Sequence, residues 1–249
     1  MASTIRENEF TFVSADKDDI ALIEHIHEKI LLRMFPDVND IDSPEAIRSY
    51  LQSYSSLRGD TCKYVVLAII GDDGVCLGVS IFGLFSCKEC TFLKGEYTAI
   101  VPEVRGNGAF EKLMYQRNTF VQNLCSAEGV EPPGFAINEL VSPSADREDH
   151  EGCRRILRMW RIHGYREIDM PFVQLPLRPE LEPIYHFRLF FQPWSAKYRA
   201  RSFLTGREAL RIIDATCTFR DASIPPRRFE EYHIMVRHAL SQEKISLCQ

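Results

Sequence analysis

The segment Arg105–Phe110, with the sequence Arg-Gly-Asn-Gly-Ala-Phe, lies between an apolar strand-like run, residues 97–101, and a helix-like stretch. A strand that ends in such a loop and turns into a helix leaves several backbone N–H groups unpaired and directed at one point. The positive end of the helix dipole adds to them, which favours phosphate or pyrophosphate. The loop therefore predicts an anion site, although an ordinary strand-to-helix connection has the same local pattern.

The length and composition set the class of protein. A chain of 249 residues suits one large domain, or one domain with a substantial extension. Its hydrophobic content of 45% and charged content of 26% are ordinary for a globular protein. No stretch approaches the roughly 20 apolar residues that a membrane span needs, and the N-terminus has no apolar signal-peptide core. We therefore expect a cytoplasmic protein without membrane contact, in which the eight cysteines are reduced thiols.

One cysteine pair, Cys87 and Cys90, has a spacing typical of metal or redox sites. No second pair of this kind and no histidine pair accompanies it, and it lies in an expected connection between strands. The sequence therefore predicts neither a bound metal nor redox chemistry at this pair.

Charge is unevenly distributed along the chain. Residues 1–60 carry six Lys and Arg against twelve Asp and Glu, whereas residues 151–211 carry twelve against six. This indicates either solvated faces of opposite sign or a basic lobe that attracts an anionic ligand. The pI is about 5.8 and no aromatic-basic recognition motif is present, so nucleic acid is not an expected partner.

Hydrophobic periodicity predicts an α/β protein with a mixed sheet. The predicted strands cover residues 9–13, 63–70, 75–85, 92–101, 135–141, 165–175 and 184–191, and the predicted helices cover residues 20–34, 44–59, 110–124 and 151–163. Two further helical patterns follow from about residue 194. A dinucleotide-binding fold is not expected, because the strand before the loop is reached through hairpins. A Lys-Ser/Thr pair does not follow the glycines, which excludes a kinase-type phosphate loop.

Two motifs in this order resemble those of the GNAT N-acetyltransferase superfamily. Residues 101–110, followed by Leu113 and Met114, resemble its acyl-CoA-binding motif, Arg/Gln-x-x-Gly-x-Gly/Ala, at the start of the central helix. The segment Trp160–Tyr165 resembles the aromatic-x-x-x-Gly-Phe/Tyr ending of the following helix. The resemblance covers residues 5–192 and implies a GNAT-like domain over residues 1–192, with residues 193–249 as a helical extension packed on the same domain.

The resemblance implies direct transfer of an acetyl group from acetyl-CoA to a primary amine of a small-molecule or peptide acceptor. The pyrophosphate would bind the loop amides, and the pantetheine arm would lie between the strands at residues 92–101 and 135–141. The implied coenzyme-binding residues are Ile100, Val101, Arg105, Gly106, Asn107, Gly108, Ala109 and Phe110.

Such a reaction needs a base for the ammonium, donors for the oxyanion and an acid for the thiolate. Backbone amides near Val101 would serve the oxyanion. We expect Glu96 as the base, with Glu139 on the facing strand second, and either one is alternatively a surface or salt-bridged glutamate. His150 and His163 are further candidates for the base.

The sequence departs from the family pattern at two positions. Trp160 lies where many members have a tyrosine that protonates the thiolate, and indole cannot do this. Tyr165 is the nearby hydroxyl and the candidate acid, unless it only packs in the core. Phe110 replaces a small residue at the last motif position.

These departures leave two other functions open. One is an acyltransferase with a longer acyl-CoA or an acyl carrier protein as donor, and the other is a non-catalytic module that binds acyl-CoA or a partner. The second helical pattern of the tail, over residues 229–240, is amphipathic. It must bury its apolar face against the sheet, over the substrate cleft or in a homodimer contact. The segment Pro176–Pro183 is a candidate border of the acceptor site.

Overall fold

A computed structural model describes residues 4–7, 10–35, 37, 41–57, 61–87, 90–142 and 150–248. The chain divides into two units, Met1–Pro133 and Gly134–Gln249. Within these described ranges, no helix has the length and apolar character needed to cross a membrane.

The first unit contains an antiparallel meander in the order β1-β2-β3-β4-β5. Its strands are β1 (Thr4–Glu7), β2 (Phe10–Ser14), β3 (Thr61–Ile70), β4 (Cys76–Ser86) and β5 (Thr91–Ile100). Its helices are α1 (Ile20–Ile26), which continues through a π-helical turn (His27–Leu31) into α2 (Leu32–Met34), then α3 (Pro44–Ser53) and α4 (Ala109–Glu128), with a 3₁₀ turn at Pro102–Val104.

Local sequence accounts for the limits of these elements. The Ser43 side chain accepts a hydrogen bond from the Ala46 amide, and Pro44 occupies the first turn of α3, where its missing N–H costs nothing. Helix α4 ends at Gly129, whose φ of 71° is the left-handed conformation of a C-cap. Strands β3 and β4 are buried along most of their length and form the centre of the meander. Strand β4 pairs with β5, the strand that leads into the glycine loop.

The second unit contains antiparallel pairs in the order β6-β8-β7-β10-β9. Its strands are β6 (Phe135–Val141), β7 (Arg166–Ile168), β8 (Phe187–Pro193), β9 (Phe203–Thr205) and β10 (Lys244–Cys248). Its helices are α5 (His150–Ile162), α6 (Ala196–Arg199), α7 (Gly206–Thr216) and α8 (Glu230–Ser241), with a 3₁₀ turn at Pro226–Arg228.

The strand expected over residues 165–175 is much shorter in the structure. Only Arg166–Ile168 forms β7, because the Met170 amide then donates to the Ile168 carbonyl, which turns the chain out of the ladder, and Pro171 has no N–H for a ladder. The strand expected at residues 184–191 is displaced to Phe187–Pro193. Ile184 instead forms an isolated bridge with Gln174.

The tail beyond residue 193 contains strands as well as the expected helices. Strand β10 pairs with β7, with Leu247 opposite Ile168, so the end of the chain adds to the sheet of the second unit. Helix α7 contacts α8 closely: a methyl group at Gly206 would lie 2.2 Å from the Ala239 carbonyl oxygen. The prediction of a purely helical tail therefore missed two strands, β9 and β10. The domain boundary at residue 192 stays a prediction.

Candidate functional site

The loop after β5 has the backbone conformation that its glycines permit. The chain leaves β5 through Val101, makes the 3₁₀ turn and reaches Gly106 and Gly108, with φ of 81° and 72°. These are left-handed values that strain residues with a Cβ. A Cβ at either glycine would meet no heavy atom within 4 Å, so the space beside the loop is open. Glycine is required here for its conformation rather than for lack of room.

The first turn of α4 presents donors to this space. Gly108 is the N-cap residue and lacks a side chain that could cap the helix. Residues 105–108 form a turn, and no backbone hydrogen bond of standard length and angle is found for the amides of residues 106–109 within the described residues. Unpaired amides at the start of a helix of 20 residues form a partial positive charge. The loop geometry is therefore that of an anion site made by the backbone.

The N-terminal helical segment supports the loop. The Arg105 guanidinium does not extend over the amides: its Nε donates to the Ile100 carbonyl at 3.0 Å, and a terminal nitrogen lies 3.6 Å from the Met34 sulfur. Arg33 forms an exposed ion pair with Glu103. The sequence pattern predicted neither support, because both partners lie about seventy residues away along the chain.

Glu96 occupies a β-bulge. Ile81 of β4 is opposite Tyr97 and Phe82 is opposite Gly95, so Glu96 is the extra residue in β5. A bulge removes a residue from the ladder, bends the strand and redirects its side chain, and such irregularities are common beside active sites. The candidate base therefore lies at the one irregular point of the β4–β5 pairing.

The Glu96 carboxylate forms an ion pair with Lys94, and the two side chains are only 10% and 6% exposed. A nearby ammonium favours the ionised form of a carboxylate, which is the form that accepts a proton. The structure thus contains both features that the sequence left as alternatives, a buried carboxylate near the loop and a salt bridge. The role of Glu96 as a base stays a prediction.

A buried network of hydroxyls and a carboxylate lies in the same unit. Tyr97 Oη donates to Asp42 Oδ2 at 3.0 Å, Tyr50 Oη donates to Asp42 Oδ1 at 3.3 Å, and the Asp42 amide donates to Tyr97 Oη. Burial first, and then the Asp42 charge, raise the pKa of both phenols above the usual range, so they remain donors. This network ties residue 42 to β5 next to the bulge. No motif indicated it.

Glu96 also influences a buried thiol. Burial raises the pKa of the Cys62 thiol, and the Glu96 carboxylate adds to this rise while the Lys94 ammonium opposes it. Cys62 therefore remains protonated. The charges of Lys94 and Glu96 therefore have opposite effects on the pKa of Cys62, and the pair does not act as a single free carboxylate.

The other two predicted catalytic residues belong to the second unit. Glu139 is half-buried on β6 opposite Leu189. Its charge contributes to the raised pKa of Cys217, for which burial is the main cause, so Glu139 lies near the end of α7. Tyr165 is 1% exposed and packs its ring edge against Trp160, with centroids 4.7 Å apart. This contact supports the core-packing alternative for Tyr165.

The two histidines that are further candidates for the base lie at the ends of α5: His150 is its first residue and His163 directly follows its last. The backbone carbonyl of His163 accepts a hydrogen bond from Gln192 Nε2 at 2.7 Å, and Gly164 follows with φ of 83°. The side chain of His150 lies outside the described residues. Over the described ranges, no three His, Cys, Asp or Glu side chains are grouped so as to hold a metal ion.

The proline-rich segment Pro176–Pro183 is attached to the tail. Arg220 is 8% exposed and donates to the carbonyls of Pro176, Thr216 and Cys217. The Asp221 amide donates to the Leu177 carbonyl. Arg220 therefore caps the end of α7 and also holds the start of Pro176–Pro183, the candidate border of the acceptor site. The position of Arg220 in the tail did not indicate this contact.

Comparison with known proteins yields structural likeness only. No family profile matches the chain, and no curated protein matches it significantly. A protein assigned to the GNAT acetyltransferase family from Bacteroides thetaiotaomicron is 18% identical, with a TM-score of 0.51 over 86% of this chain and 98% of that one. An acetyltransferase of the GNAT family from Staphylococcus aureus is 13% identical, with a TM-score of 0.45 over 75% and 99% of the two chains. The first of these likenesses confirms the predicted α/β fold class.

The buried ion pair yields a prediction about stability. Glu96→Gln should lower the free energy of unfolding by about 3 kcal/mol, because it leaves the Lys94 ammonium buried without its charged partner. Denaturant titration measures this loss. The double variant Lys94→Met with Glu96→Gln should recover most of it, because no buried charge then remains.

Glu103→Gln is the matched control, since it removes the carboxylate of the exposed pair with Arg33 and should leave the unfolding midpoint unchanged. Equal midpoints for the wild type and Glu96→Gln would contradict the buried pair.

Proposed function

We propose that this chain, which has the fold of the GNAT acetyltransferases, transfers an acetyl group from acetyl-CoA to a primary amine. The observation that carries the proposal is the loop at residues 105–110. Two left-handed glycines, the amides of residues 106–109 and the start of a long helix lie beside open space after β5. That arrangement suits the pyrophosphate of coenzyme A.

The donor would bind mainly through the backbone. Each loop amide can donate to a phosphate oxygen, and hydrogen bonds to a charged acceptor are about twice as strong as neutral ones. Arg105 would act indirectly, because its guanidinium is engaged with the Ile100 carbonyl and the Met34 sulfur. It would hold the exit of β5 and the first turn of the loop at a fixed separation.

The chemistry requires a neutral amine next to the thioester. The amine nitrogen attacks the thioester carbon, the C–S bond breaks as the C–N bond forms, and the nitrogen loses a proton to a base. We assign that base to Glu96, directly or through a water molecule, because it lies at the bulge of the strand that leads into the loop and its carboxylate is almost buried. Glu139 is the second candidate, in the other unit.

The departing thiolate needs a proton as well. Tyr165 remains the proposed donor among side chains, although its burial against Trp160 supports a packing role equally well. A water molecule can deliver the proton in its place. Trp160 is 4% exposed, and this burial accounts for its presence without any role in proton transfer.

Coenzyme binding tests the loop directly. Gly106→Val should weaken binding of coenzyme A by at least about tenfold, or ~1.4 kcal/mol, because a β-branched residue at φ of 81° displaces the amides. Isothermal calorimetry measures the affinity.

Gly74→Val is the matched control for this variant. Gly74 has φ of 80° in the β3–β4 hairpin and also has no neighbour within 4 Å of a Cβ. The two substitutions should therefore cost similar stability, while Gly74→Val retains wild-type affinity. Unchanged affinity in Gly106→Val would remove the anion site from the loop.

Activity is tested by the release of free coenzyme A from acetyl-CoA with a panel of primary amines, including polyamines, amino acids, aminoglycosides and peptides. We expect release with at least one amine and an acetylated product by mass spectrometry. Longer acyl-CoA and acyl carrier protein donors form parallel arms. Release only in those arms would overturn the acetyl donor, and no release in any arm with retained coenzyme A binding would overturn catalysis.

A further inference from the structure

Two thiols lie opposite one another just beyond the last ladder pair of β4 and β5. Ser86 and Thr91 form the last ladder pair, and Cys87 and Cys90 are the next residues outward on each strand. The Cys87 amide donates to the Cys90 carbonyl at 3.0 Å, which extends the antiparallel pairing by one step. The two cysteines therefore occupy a cross-strand, hydrogen-bonded position.

This position matches the dimensions of a disulfide. Directly opposed residues of a hydrogen-bonded antiparallel pair have Cα atoms about 5.5 Å apart. Disulfides join Cα atoms that are roughly 4.4 to 6.8 Å apart, so the general spacing of such a pair is compatible with the bond. The two Sγ atoms already lie 3.5 Å from each other.

Both sulfurs are also accessible. Cys87 and Cys90 are each half-buried, whereas Cys62, Cys76, Cys125, Cys153 and Cys217 are buried. Cys248, the remaining cysteine, is exposed and lies in the second unit. A soluble oxidant can thus reach the pair, and the structure places no third His, Cys, Asp or Glu beside them within the described ranges to complete a metal site.

An aromatic pair holds the strands at this end. Phe85 and Phe92 are opposite one another, two residues inward from the cysteines and on the same face, because strand side chains alternate. Their rings stack with centroids 5.1 Å apart and an interplanar angle of 9°. Such cross-strand contacts stabilise the local pairing, so folding keeps the two thiols together before they react.

We propose that Cys87 and Cys90 are a reversible redox site that closes to an intramolecular disulfide on exposure to a disulfide oxidant such as oxidised glutathione. One thiolate attacks the oxidant, forms a mixed disulfide and releases one glutathione. The second thiolate then attacks the protein sulfur of that mixed disulfide and releases the other glutathione. The protein loses two electrons and two thiol protons, and both appear on the two reduced glutathione molecules.

The site is independent of acyl transfer, because its cysteines lie at the start of β5 whereas the glycine loop follows the end of that strand. Oxidation would join the ends of two strands that are already paired. The disulfide should therefore form in the folded protein and remain reducible by thiols, which is the behaviour of a regulatory rather than a permanent bond.

The test uses the wild-type chain equilibrated in glutathione buffers, quenched with acid, alkylated and digested with trypsin. Cleavage after Lys88 separates Cys87 from Cys90, so the two peptides stay joined only through a disulfide. We expect the joined peptide to accumulate in the native protein at about tenfold less oxidising buffer than in guanidinium, since folding holds the thiols together.

Cys87→Ser should abolish the joined peptide completely, and Cys248→Ser should leave its formation unchanged. Separate alkylation of both cysteines across the whole buffer range would overturn the proposal, as would glutathione attached to each of them in place of a mutual bond. Equal oxidation of native and denatured wild-type chains would also overturn it, and this comparison does not depend on how any variant folds.

Discussion

Backbone hydrogen bonding at the end of β5 is the constraint on which the candidate site depends. A folded chain satisfies nearly all of its buried amides, and β5 does so by pairing with β4 from Thr91 to Ile100. The pairing is interrupted at Glu96, and beyond the strand the amides of residues 106–109 make no backbone hydrogen bond of standard length and angle within the described residues. The open space beside them is where an anion can complete their hydrogen bonding.

Keeping unpaired amides in one place requires support from the rest of the unit. Tyr97 and Asp42 fix the strand next to the bulge, and Arg105 fixes its exit. The Lys94–Glu96 pair adds two compensating charges on the residues of β5 just before Tyr97. A buried pair of this kind is weak evidence for stability, because desolvation of the charges offsets their attraction.

The sequence predicted the parts of the site that depend on local conformation. Gly106 and Gly108 are recognisable because few other residues adopt positive φ, and they fix where the strand ends and α4 begins. The bulge could not be predicted, since Glu96 differs in no local property from an ordinary strand residue. The same is true of Asp42, which reaches Tyr97 across 55 residues of sequence.

The fold was likewise predictable where it depends on neighbouring residues and was missed where it depends on residues far apart in the sequence. The meander and the helix after the loop follow from periodicity and turn residues. The strand expected over residues 165–175 ends at Ile168, shortly before Pro171, a residue that limits a ladder. Strand β10 was missed because its five residues follow a strong helical pattern. Its place beside β7 depends on a pairing between residues about eighty positions apart, which periodicity does not encode.

Amide hydrogen exchange in the presence and absence of coenzyme A tests the central claim most directly. Amides without an acceptor exchange quickly, so those of residues 106–109 should be among the fastest in the free protein. With saturating coenzyme A, the account predicts exchange at least about tenfold slower in the peptides that contain these residues. Coenzyme A binding that leaves exchange at residues 106–109 unchanged would contradict it.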